Sequence, residues 1–182
     1  MKTGSNVTFL LRLALTLLAF TAVVAAALAG VNLITAPAIA QLNAQKTQEA
    51  IEQVLPGGGS ALDSFPETDL VSQVYASDSG YAVEVAPSGF DNTISMMVGV
   101  DTEGKVLGVS VISHSETAGL GAVAADNTPK GSEFRERFVG QSGTVAVTKD
   151  GGQIDALTGA TITSRAVCAG VTAALDCVAS MG

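Results

Sequence analysis

No charged residue occurs between Arg12 and Lys46, and the gap opens with "LALTLLAFTAVVAAALAGVNLIT", Leu13 to Thr35. These 23 uncharged residues exceed the roughly 20 that an apolar helix needs to cross a bilayer. Such a run is either kept as an anchor or removed as a signal sequence. "ALA" at Ala27–Ala29 and "AIA" at Ala38–Ala40 resemble small-residue cleavage sites. The run nevertheless outlasts the roughly 7–15 residues of a signal core, which favours a retained span. Lys2 and Arg12 lie on its N-terminal side. The positive-inside rule then expects residues 1–12 in the cytoplasm, a single span at 13–35, and the remainder outside the inner membrane.

Charge divides the chain in the same way. All seventeen acidic residues follow Ala40, as do seven of the nine basic ones, so residues 41–182 carry a net −10. A domain of that charge is repelled by a phosphate backbone, which excludes nucleic acid as a main partner. At about 140 residues it is long enough for one core. Cys168 and Cys177 are nine residues apart in a helical pattern. That spacing puts them on opposite sides and roughly 13 Å apart along the axis, too far for a disulfide. They form neither a redox pair nor a zinc pattern, and read as small buried side chains.

Beyond Pro37, apolar residues from Ile39 to Leu55 recur loosely at helical spacing and stop at "PGGG", Pro56–Gly59. Residues 36–59 therefore read as a stalk helix and linker, and residues 60–182 as the domain proper. After a polar linker at 60–72 the pattern turns to β. "YAVEVA" alternates from Tyr81, and "TISMMVGV" and "KVLGVSVIS" flank a hairpin turn at "DTEG", Asp101–Gly104. Met96 and Met97 are neighbours in a strand, so one is expected inward and the other outward. "SEFRERFVG" reads as a short helix ended by Gly140, with Glu133, Arg135, Glu136 and Arg137 on a solvated face. "TVAVT" and "QIDAL" read as a further pair of strands. A final helix from about Thr163 to Val178 packs through Val167, Val171, Ala174, Leu175 and Val178. The fold class is α+β: a single N-terminal transmembrane helix, then an extracytoplasmic domain with a mainly antiparallel sheet and flanking helices.

Between the last strand and the last helix stands "DALTGAT", Asp155–Thr161, with no histidine, lysine or arginine in it and none after it until Arg165. Three uses fit these residues. Thr161 or Thr163 can cap the helix. The helix N-terminus can hold a phosphate, although no GxxxxGK[ST] or GxGxxG accompanies it. Or Thr161 can accept a phosphate-linked group from another enzyme, since a threonine without a base is a poor nucleophile on its own.

The stretch resembles the D-x-x-[ST]-G-A-T motif of the FMN-binding domains of the Rnf and Na⁺-translocating NADH:quinone reductase complexes. "HSETAGLG", from His114, is similar to that family's H-x-E-T-P-G-L-G loop, with Ala118 in place of the usual proline. "VNLITAPAIA" and "VLPGG" look like its N-terminal pattern. The compact chain looks more like the Rnf member of the family than the quinone reductase member, which is the alternative.

The resemblance implies FMN joined by a phosphoester to Thr161, transferred from FAD by a separate magnesium-dependent flavin transferase. It implies a role for Asp155 in that modification, with Leu157, Thr158, Gly159 and Ala160 shaping the site. The loop implies a flavin-side or loop-ordering His114 and polar contacts from Glu116 and Thr117. It also implies Gly119, Leu120 and Gly121 against the cofactor, with backbone N–H groups free to reach it. Further implied are membrane subunits of an Rnf-type complex as partners, coupling electron flow between ferredoxin and NAD⁺ to ion transport. The competing class is an anchored, non-redox binding module. The sequence offers no metal pattern and no paired carboxylates at catalytic spacing.

Overall fold

The computed structural model describes residues 3–66 and 68–181. Lys2, one of the two charges behind the expected orientation, lies outside the described residues. The first element, α1, is a single helix over Thr3–Val54 that continues through Pro37 rather than ending there. From Phe9 onward it is long and apolar enough to cross a membrane. Thr16, Thr21 and Thr35 donate their hydroxyls to carbonyls three or four residues earlier, at 2.8–3.0 Å. Those bonds let polar side chains sit in an apolar surrounding without an unsatisfied donor.

The chain forms two compact units, residues 1–44 and 45–182. In the second, the last turns of α1 are not a free stalk. Ala50, Ile51, Val54 and Leu55 are buried against Ala82 and Met97 of the sheet. "PGGG" then turns the chain away, with Gly57 and Gly58 at φ +96° and +71°, a region costly for any residue with a Cβ.

The sheet is an antiparallel meander in the order β1 (Ser60–Ala61), β2 (Val71–Ser77), β3 (Gly80–Val85), β4 (Ser95–Asp101) and β5 (Val106–Ser113). The expected linker at 60–72 thus contains β1 and the start of β2. The β4–β5 turn is the hairpin at "DTEG": Asp101 Oδ1 accepts N–H bonds from Glu103 and Lys105, both 2.8 Å, and Gly104 takes φ +78°.

Alternation along β4 divides the side chains between two covered faces. Met96, Val98 and Val100 face the main core with α3 (Thr161–Met181), while Met97 faces α1. Both methionines are fully buried, so neither points outward. The stripe Val167, Val171, Ala174, Leu175 and Val178 lies buried in α3, and both cysteines are free and buried. Burial, reinforced by Asp150, pushes the Cys168 thiol up to about 12.

Two other expectations change. The short helix α2 covers Pro129–Glu136, capped by Thr128, whose hydroxyl accepts Gly131 N–H. Its Arg135 is not simply solvated: Nη1 donates to the carbonyls of Ala124 (2.7 Å) and Asp126 (3.0 Å). "TVAVT" and "QIDAL" are not strands either. Their one bridge, Val147 with Ile154, is parallel. Val145 gives its N–H to Thr172 Oγ1 (2.9 Å) and Leu157 gives its own to Ser164 Oγ (3.0 Å). Side chains of α3 therefore satisfy backbone donors that a ladder would otherwise use.

Candidate functional site: a cavity at the start of the last helix

Gly159, at φ +78°, turns the chain so that α3 begins at Thr161. Neither candidate threonine caps the helix. Thr161 is already the first helical residue, and Thr163 sends its hydroxyl to Glu116 Oε2. Ser164 closes the turn instead, donating Oγ to Ala160 O (2.9 Å) while accepting Leu157 N–H (3.0 Å). That leaves the Thr161 side chain free of any capping duty.

Thr161 borders a cavity of about 360 Å³. One wall is Gly159 to Thr163, and a second comes from Glu116, Thr117, Leu120 and Gly121 of the loop after β5. Phe90 and Lys149 complete it. Glu116 holds the walls together. Its Oε1 accepts N–H bonds from Phe90 (2.8 Å) and Asp91 (3.3 Å), and its Oε2 takes the Thr163 hydroxyl. Gly89 and Gly121 press so closely on this carboxylate that a Cβ at either would overlap it.

The other residues named from the sequence surround the cavity without lining it. His114 accepts Glu116 N–H at Nδ1 (3.2 Å), which orders the loop. Gly119 supplies a turn at φ +74°. Leu157 is buried in the core, while Thr158 and Asp155 are exposed. The Asp155 carbonyl accepts Arg137 Nη1 (2.8 Å).

Lys149 and Phe90 were not among the residues expected here. Lys149 Nζ stands 3.5 Å from Thr161 Oγ1. It reaches there from a 3₁₀ turn, Thr148–Asp150, that α3 holds in place. Arg165 grips Asp150 with two bonds, Nε to Oδ2 (2.6 Å) and Nη2 to Oδ1 (2.7 Å). Those bonds, above all, keep the Asp150 carboxyl below the usual carboxylate range. The threonine without a cation in its own stretch acquires one by folding. A basic residue in the turn before the motif was the available signal, but twelve residues of separation hid it.

The arrangement suits a phosphate-bearing ring compound. An ammonium and a helix start meet at a reachable hydroxyl, and Phe90, Leu120 and Ile162 offer apolar surface at the opening. Among the described residues no cluster of three or more histidine, cysteine or acidic side chains is placed to hold a metal.

Known proteins point the same way. Residues 89–176, which contain nearly all of this cavity, match the FMN-binding domain family, and residues 1–54 match the RnfG N-terminal region. The chain is 33% identical to the RnfG protein of the Na⁺-translocating ferredoxin:NAD⁺ oxidoreductase complex of Acetobacterium woodii, over 88% of this chain and 87% of that one. It is 32% identical to the corresponding protein of the proton-translocating ferredoxin:NAD⁺ oxidoreductase complex of Clostridium ljungdahlii, over 82% and 80%. It is 33% identical to that of the ion-translocating oxidoreductase complex of Methanosarcina acetivorans, over 91% and 92%. With that similarity along nearly its whole length, the chain belongs to the RnfG family and carries that family's FMN-binding domain.

Proposed function

We propose that this chain is a membrane-anchored electron carrier of an Rnf-type ion-translocating ferredoxin:NAD⁺ oxidoreductase, with FMN joined to Thr161 through a phosphoester. The observation that carries the reading is Thr161 itself: the first residue of α3, half-exposed at the edge of the cavity, with Lys149 alongside. A hydroxyl so placed is open to a flavin transferase, and the cation offsets the charge of the phosphate it would carry. When bound, FMN supplies the redox chemistry. The chain's own residues hold and orient. Glu116 ties the loop after β5 to α3, Gly159 lets Leu120 approach the backbone, and the apolar side chains at the opening shield one side from water. Anchorage by residues 13–35, with the N-terminus inside and the domain outside, would keep the carrier beside the complex's other membrane subunits.

The test is in-gel ultraviolet fluorescence of the denatured full-length chain expressed with a flavin transferase, beside Thr161→Ala. A fluorescent wild type and a dark variant are expected. Two dark bands, with the transferase active on a control substrate, would leave an anchored binding module as the better account.

A further inference from the structure

The neighbourhood of Thr161 contains one cation whose purpose the fold does not use. Lys149 is exposed and forms no ion pair among the described residues. The adjacent carboxylate, Asp150, is occupied by Arg165 through both oxygens. That bidentate grip is geometrically specific, and it fixes the turn on α3 so that Lys149 Nζ points at Thr161 Oγ1, 3.5 Å away. Residues 41–182 carry a net −10. An incoming dinucleotide with a charged pyrophosphate is therefore repelled by the domain as a whole and needs local positive charge.

Resting on the attachment proposed above, we infer that Lys149 is the phosphate-binding residue of the acceptor site, holding the FMN phosphate during transfer to Thr161 and afterwards. In that step Thr161 Oγ1 bonds to the FMN phosphorus of FAD and the P–O bond to the AMP half breaks. AMP leaves with the electron pair, and the hydroxyl proton passes to the transferase. Nothing is oxidised or reduced. Lys149 lies close enough to neutralise the phosphate oxygens as the bond forms. The Asp150–Arg165 pair acts through it as a positioning device.

The experiment follows flavin fluorescence in denaturing gels over time, with full-length chain, purified transferase, FAD and Mg²⁺, at low and high salt. The variants are Lys149→Met, Lys149→Arg, Lys149→Glu and Asp150→Asn, each checked against wild type by thermal melt. Lys149→Met is expected to label roughly tenfold more slowly and to lose most of the salt dependence of the rate. Lys149→Glu labels more slowly still, and Lys149→Arg restores most of the rate. Asp150→Asn keeps the ammonium but frees its turn, and falls between Met and wild type. Labelling of Lys149→Met at the wild-type rate, with unchanged salt dependence, overturns the inference while leaving Thr161 attachment intact. A wild type that stays dark beside an active control overturns both.

Discussion

Glu116 shows how one side chain can assemble a site from distant segments. It lies 26 residues after Phe90 and 47 before Thr163, yet bonds to both from a position only 8% exposed. Its loop motif implied a polar contact with the cofactor, whereas its carboxylate is already engaged on both oxygens. Removing it strands buried donors that water cannot reach. Glu116→Ala is expected to cost roughly 2–4 kcal/mol in urea unfolding. Glu116→Gln keeps one carbonyl oxygen for Phe90, and Thr163 can rotate to accept from the amide, so it should cost about 1 kcal/mol. Equal losses for the two variants would mean that packing, and not hydrogen bonding, holds the walls together.

Among the elements, the end of α1 makes the most demanding contact. Gly99 of β4 lies under Val54 so closely that a Cβ would overlap the Val54 carbonyl, and backbone cannot swing aside as a side chain can. At Gly108, on the neighbouring strand, a Cβ would stand 3.7 Å from Val54, an ordinary contact. Gly99→Ala is therefore expected to lose about 1–3 kcal/mol on chemical denaturation, and Gly108→Ala to stay within about 0.5 kcal/mol of wild type. Similar behaviour of the two would show that α1 does not press on the sheet in solution. The same contact explains Met97: a strand covered on both faces has no outward side to offer.

At the scale of the molecule, the limits of the folded unit differ from those of the expected domain. Sequence pattern starts the domain at residue 60, but residues 45–182 form the compact unit, because the last turns of α1 belong to the core. Residues 45–182 expressed alone should be monomeric without detergent and melt cooperatively. A chain starting at Pro56 lacks Ile51, Val54 and Leu55, each contributing about 1.5–3 kcal/mol by burial, and uncovers Met97. It should aggregate or lose its cooperative transition. Size-exclusion chromatography and circular dichroism melts of the two truncated chains check this, and indistinguishable behaviour would remove α1 from the core.

The sequence by itself determined whatever depends on local pattern. The uncharged run, the alternation in β3 to β5, the "DTEG" turn and the apolar stripe of α3 each follow from periods of 2 or 3.6 residues acting between near neighbours. The "DALTGAT" and "HSETAGLG" stretches were legible as motifs for the same reason. Only the tertiary structure decided which groups meet. It made loops of "TVAVT" and "QIDAL" because α3 side chains satisfy their N–H groups, and it set Glu116 between Phe90 and Thr163. It also brought Lys149 to Thr161 through an ion pair spanning fifteen residues of sequence. Contacts of that kind leave no period in a chain, because they depend on where distant segments come to rest rather than on how adjacent residues repeat.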